Sequence, residues 1–374
     1  MIGSFATSGA CPCSWPGFNF QKVQALLVDN KTEQAWLWND LKDNLEITTI
    51  PFINIPPAAK SYYSFLKWNG FNTVSVAVNT TDTDPDDMLR TLVHEAFHHY
   101  EQKDWNIPSS GWRTLTYPVD WKLRYFRRMS LLSLFKAYSF STSLERAEAI
   151  KAATYWDHLV KETDSNDYQQ NVGLDLVEGS ASYTDIVTSA LVRKGCLAAE
   201  PDLRTEILGR ANEFFGILKV DQYGLDATWA AEPYDIGALS GLILRETAVV
   251  DWENRLKIDG TSPFTLLAQI YGQSVHEEDN LAMKDLMISK AKAYNLELVN
   301  VLGPIANGMT SANFLRVALP TKMQQGAIKI KGLIRVATIP EGIVMIQTSF
   351  QALSTTSDMD FTEQSIVRAD KTPW

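Results

Sequence analysis

The chain has 374 residues, 45% of them hydrophobic, with 20 Gly, 15 Pro and a formal net charge of -10. That is enough apolar material for a well-buried core and for two or three structural units. The acidic balance and the lack of a basic tract exclude a nucleic-acid partner, and no apolar run approaches the ~18 residues of a membrane span.

Residues 1–20 read as an irregular tail rich in Gly, Ser and Pro. Met1 to Trp15 lacks the basic region and apolar core of a signal peptide, so the chain is cytoplasmic, or secreted with its signal removed. The three cysteines, Cys11, Cys13 and Cys196, are odd in number and give no disulfide framework. Residues 21–46 are predicted helical, with Val23, Leu26, Leu27, Trp36, Leu37 and Leu41 toward a core and a break at Asp29-Asn30. Residues 48–58 are extended and interrupted by prolines, and a short helix is expected near 60–67. Residues 71–79 alternate Val with smaller or polar residues, the pattern of a half-buried strand. Its free edge suits an extended peptide by strand addition.

Asp84-Pro85-Asp86-Asp87 then starts a helix: an N-cap, a Pro at the first helical position, and acids on the positive end of the dipole. The helix carries His94-Glu95-Ala96-Phe97-His98. Two histidines four apart lie one turn apart on one face and can reach a single zinc ion, with Glu95 placed to act as general base. Leu89, Leu92, Val93, Ala96, Phe97 and Tyr100 form an apolar stripe on the opposite side.

Further helices are expected at 120–138, 142–163 (capped by Ser143), 167–193, 201–217, 235–256, 263–271 and 276–300. In the first of these, Arg124, Arg127 and Arg128 form a solvated face or pair with the surplus acids. After Gly303-Pro304, residues 327–336 and 343–350 read as a hairpin around Pro340-Glu341-Gly342. The division expected is a segment 1–80 with an edge strand leading to the metal helix, a helical region 81–303, and a β unit 304–374.

A two-histidine site needs a third protein ligand. His99 points off the ligand face, and His158 and His276 lie on helices without a partnering motif. Glu178 is the better candidate, because Gly179, Ser180, Ala181 and Ser182 let its helix pack closely against another.

His94, Glu95, His98 and the downstream Glu178-Gly179-x-Ala181-x-Tyr183 together resemble the gluzincin metallopeptidases, which include thermolysin and aminopeptidase N-like enzymes. Glu232-Pro233-Tyr234-Asp235-Ile236-Gly237 is similar to the Pro-Tyr-x-x-Gly segment of the latter. The resemblance covers roughly residues 70–250 and is specific at these three short motifs. It implies a mostly helical α+β fold with a zincin catalytic domain. It implies Zn²⁺ on His94, His98 and Glu178, Glu95 as general base, and Tyr234 as oxyanion stabiliser at the start of a helix. The chain also departs from the pattern. The gap from His98 to Glu178 is longer, the strand at 71–79 lacks the Gly-x-Met-Glu-Asn motif, and Ser182 stands where thermolysin-like enzymes place an Asp. The acid orienting a histidine is then Asp175 or Asp185.

The expected function is a zinc-dependent peptidase acting on a peptide or protein substrate. Two alternatives share the same motifs: a zincin-fold binding protein without catalysis, and a metallohydrolase of a non-peptide ester or epoxide.

Overall fold

The structure is a computed structural model that describes residues 14–18, 22–43, 45–60, 63–78, 84–107, 115–215, 225–247, 249–310, 328–332, 335–339, 342–352 and 359–368. It is α+β and mostly helical, with a small mixed sheet near the N-terminus. The chain divides into two compact units, one of residues 1–111 and 127–277, the other of residues 112–126 and 278–374.

The first unit opens with β1 (Gln24–Asp29), β2 (Gln34–Asp40), β3 (Leu45–Ile50), β4 (Tyr63–Trp68) and β5 (Phe71–Val78), in the order β3-β2-β1-β5-β4. β1 and β5 are parallel, and the other pairs are antiparallel. The helix expected over 21–46 is therefore a three-stranded antiparallel meander. Aspartates make its turns. Asp29 Oδ1 accepts from the backbone N–H groups of Lys31 and Thr32 at 2.9 and 3.0 Å. Asp40 Oδ1 accepts from those of Lys42 and Asp43 at 3.0 and 3.4 Å. A side chain that closes its own turn reverses the chain where a helix would continue.

The short helix expected near 60–67 is β4. It joins β5 through Asn69-Gly70, both at positive φ (51° and 88°), the geometry of a tight hairpin. β5, expected to present a free edge, lies between β1 and β4, and the edge belongs to β4. In the β4–β5 register Tyr63 faces Val76 and Phe65 faces Val74. Directly paired residues share a sheet face, so Tyr63 and Phe65 lie on the face whose buried valines Val74 and Val76 pack with the helices. The other face covers a smaller core of Leu26, Val28, Leu37 and Ile55, with Leu66 and Trp68 packed against it.

The α-helices among the described residues are α1 (Pro85–Tyr100), α2 (Trp121–Ser139), α3 (Ser143–Thr163), α4 (Ser165–Lys194), α5 (Glu200–Gly209), α6 (Ala211–Phe214), α7 (Leu225–Glu246), α8 (Trp252–Asp259), α9 (Pro263–Tyr271) and α10 (Leu281–Thr310). α1 begins as its sequence dictates, with the Asp84 side chain accepting from the Asp86 N–H at 2.9 Å. It buries Leu89, Leu92, Val93, Ala96 and Phe97. α3 is capped by Thr142, not Ser143. The helix expected over 235–256 is two helices, α7 and α8. Arg124, Arg127 and Arg128 are buried rather than solvated, and Arg127 makes a bidentate pair with Asp175 of α4 at 2.6 and 3.0 Å. Cys196, just past α4, is disulfide-bonded, against the expectation of no disulfide framework.

α4 and α7 touch through glycine. A Cβ built on Gly179 would lie 2.4 Å from Gly237 Cα, and one on Gly237 would lie 2.3 Å from the Asp175 carbonyl oxygen. Real Cβ atoms do not approach backbone so closely, so only glycine fits on both helices.

In the second unit, β6 (Leu115–Thr116), β8 (Arg335–Ile339), β9 (Gly342–Ala352) and β10 (Met359–Arg368) form a sheet in the order β10-β9-β8-β6, and β7 (Ile328–Gly332) pairs with β9. The expected hairpin is the β8–β9 pair. The Asn295 side chain of α10 bonds both backbone groups of Val119, at 2.8 and 3.0 Å. Among the described residues no helix is long and apolar enough to cross a membrane.

Candidate metal centre

α1, α4 and α7 of the first unit bring four of the five expected site residues into direct contact. His94 and His98 project from α1 with their Nε2 atoms 3.0 Å apart. Glu178 of α4 places Oε2 3.1 Å from His94 Nε2 and 3.2 Å from His98 Nε2. Tyr234 of α7 stacks on the His94 ring, with centroids 5.6 Å apart and planes 17° apart, and its hydroxyl donates to Glu178. Tyr234 stands inside a helix, following the interior Pro233, not at a helix start. Glu95 lines the same cavity of about 670 Å³ and does not belong to the ligand group.

The tautomers follow from the partners behind each ring. His98 Nδ1 lies 2.6 Å from Gln102 Oε1. The orientation of that amide is fixed by its other end, because Gln102 Nε2 donates to the Val177 carbonyl and to Ser180 Oγ, each at 2.8 Å. An amide oxygen only accepts, so His98 Nδ1 carries the proton. His94 Nδ1 lies 3.1 Å from Asp185 Oδ2, a carboxylate, and carries its proton for the same reason. With Nδ1 of each ring engaged behind, the two Nε2 atoms face each other and a carboxylate oxygen.

Two ring nitrogens and a carboxylate oxygen converging at 3.0–3.2 Å call for positive charge among them, a proton on Nε2 or a metal ion. A tetrahedral ion with ligand bonds of about 2.0–2.1 Å would hold its ligand atoms about 3.3 Å apart. The spacing and the donor chemistry both fit, and His94, His98 and Glu178 can hold a metal ion. Side-chain exposures of 12%, 19% and 23% keep the group sheltered yet reachable from the cavity.

The electrostatics express the same demand for positive charge. Burial disfavours a charged His94, but Asp185 and Glu178 outweigh it and raise the ring's pKa to about 9. Burial would raise Glu178, yet hydrogen bonds from His94 and His98 hold it well below the usual carboxylate range. Burial raises Glu95 against the pull of His94 and His98. Tyr234 is pushed up by burial and by the adjacent Glu178 charge, which keeps its proton in place for donation.

Of the two acids expected to orient a histidine, Asp185 does so, while Asp175 is taken by Arg127. Asp185 also accepts from Arg90 Nε at 2.7 Å. Arg90 and Gln102 were missed by sequence reasoning, although helical spacing marks both. Arg90 is one turn before His94, and Gln102 is four residues after His98. His99 stacks on Phe65 of the edge strand, 4.5 Å between centroids. His158 pairs with Glu162 at 3.1 Å, and His276 lies edge-on to Tyr155, so neither joins the centre. Compared with protein-family models, curated proteins and solved structures, the chain matches none.

Proposed function

We propose that the first unit is a zincin-type catalytic unit and the chain a zinc-dependent peptidase of gluzincin type. The observation that carries this reading is the convergence of His94 Nε2, His98 Nε2 and Glu178 Oε2 on one point, at a cavity that Glu95 and Tyr234 also line. Two imidazoles and one carboxylate, with room left for a fourth ligand, are the donor set of catalytic zinc.

Bound there, Zn²⁺ would supply Lewis-acid polarisation of a scissile carbonyl and make an attacking water more acidic. Glu95, next to His94 on the wall of the cavity, takes the proton from that water and returns it to the leaving amine. Its burial-raised pKa suits both steps, since a base that must later act as an acid works best with a pKa nearer neutrality. Tyr234 releases its ground-state bond to Glu178 and donates to the oxyanion as charge develops. Asp185 and Gln102 hold the two rings in the tautomer that leaves Nε2 free. An extended peptide lies along the open edge of β4, whose Tyr63 and Phe65 overhang the cavity.

The disulfide at Cys196 fits an oxidising compartment. The reading is tested by turnover of a peptide library before and after chelation. Cleavage that stops with chelator and returns with zinc supports it, and a metal-loaded chain that cleaves none of the peptides removes it.

A further inference from the structure

The cavity runs past the ligand group to Arg90, Phe214 and Asp235. Asp235 follows Tyr234 on α7 and is only 6% exposed. Among the described residues, its Oδ2 has no hydrogen-bond partner. A buried carboxylate oxygen without a donor is costly, and native structures seldom keep one without a use. It cannot swing away to find a donor by sliding its helix, because the Gly179–Gly237 contact fixes α7 against α4. The nearest cavity-lining cation is already engaged, as Arg90 gives its Nε to Asp185.

The charge of the cavity says what would complete Asp235. Asp87, Glu95, Glu178, Asp185 and Asp235 line it against the single Arg90. A divalent ion on the ligand group still leaves one negative charge in excess, and a second once Asp235 ionises. A hydroxyl or amide donor would satisfy Oδ2 and leave that excess in place, whereas a cationic donor answers both. Burial sets the Asp235 carboxyl well above the usual carboxylate range, against the opposing charges of Arg128 and Arg90.

We propose that Asp235 is the specificity-determining acceptor of the cleft and selects peptides that place a lysine or arginine side chain against it. This rests on the peptidase reading for the kind of ligand, and the two are tested by different measurements.

Binding is measured on zinc-loaded Glu95→Gln protein, to avoid turnover, by fluorescence anisotropy of labelled peptides that differ at one residue. The lysine and arginine peptides should bind about ten- to a hundredfold more tightly than the norleucine peptide, the range of a charge-assisted hydrogen bond. Adding Asp235→Asn should bring the three affinities within about twofold. Equal affinities before that change, an unchanged preference after it, or no peptide binding would each overturn the proposal. If the asparagine variant fails to fold, the lysine-to-norleucine ratio in protein retaining Asp235 decides by itself, since a ratio near one overturns the assignment. Chelator-sensitive hydrolysis by the natural chain tests the peptidase reading separately. A chain that prefers the lysine peptide and cleaves none loses that reading and keeps Asp235.

Discussion

Gly179 on α4 and Gly237 on α7 meet backbone to backbone: a Cβ on Gly237 would lie 2.5 Å from Gly179 Cα. The contact delivers Tyr234, one turn away on α7, to Glu178, the neighbour of Gly179 on α4. Gly237→Ala should therefore do two kinds of damage. Overpacking should cost about 1–3 kcal/mol, a fall of several degrees in melting temperature. Displacement of Tyr234 should lower kcat well beyond what the folded fraction explains. A variant with normal melting and turnover would show that the helices can part without consequence.

Protein prepared without added metal should contain one zinc per chain. His94→Ala and Glu178→Ala should lose it, whereas Glu95→Gln should keep the metal and lose turnover, because an amide cannot accept the proton. Elemental analysis beside activity assays checks all three. Metal loss in Glu95→Gln with retention in Glu178→Ala would reverse the assignment of these two glutamates.

Tyr234→Phe should keep zinc and stability near those of the unaltered protein, because the hydroxyl touches Glu178 from outside the ligand group. Removing an oxyanion donor typically lowers kcat by about 10²–10³ with little change in KM. Steady-state kinetics at unchanged metal content separates this from a structural role. Peptide cleavage at an unchanged rate would take Tyr234 out of the mechanism.

Gln102→Met should weaken metal binding by about 10- to 100-fold, since His98 Nδ1 would lose the acceptor that fixes its tautomer. Competition with a chromophoric chelator measures the change. Undiminished affinity would mean that His98 needs no support from behind.

The metal-free protein should have a distinctive pH profile. His94 is raised from 6.5 to about 9 in the fold, with Asp185 and Glu178 outweighing its burial. A group whose folded pKa exceeds its unfolded value contributes stability that is complete below the unfolded value. That contribution is lost as pH rises through the folded value. Metal-free protein should thus lose stability from pH 6.5 to about 9. Zinc-loaded protein should not, because the metal replaces the proton on Nε2. Thermal melts across that range, with and without zinc, make the comparison.

The site was more legible in the sequence than the sheet in front of it, for a physical reason. His94, Glu95 and His98 lie on one helix, where spacing alone sets their geometry. Glu178 was marked by the small residues around it, and Gly179 proved to be the one at the helix contact. The meander at 24–50 carries leucines and tryptophans that also suit a helical stripe, and what decides against a helix is the turn chemistry of Asp29 and Asp40. Asn69-Gly70 was a hairpin signal between two apolar runs, and reading it would have made β4 a strand and the edge. Asp235 could not be singled out from sequence, because its isolation depends on how α7 is seated on α4.

The bidentate pair between Arg127 and Asp175 lies on α4 less than one turn from Glu178. It works as a key against torsion. A helix with side chains has a radius of about 5–6 Å, so a roll of about 30° would carry a side-chain tip about 3 Å sideways. That exceeds the tolerance of a metal–ligand bond several times over. Sheltered from the cavity and touching no ligand, Arg127 fixes the rotational phase of α4 and, with it, whether Glu178 arrives at the two histidines at all. Damage there would register as a missing ligand at a site whose own residues are all intact.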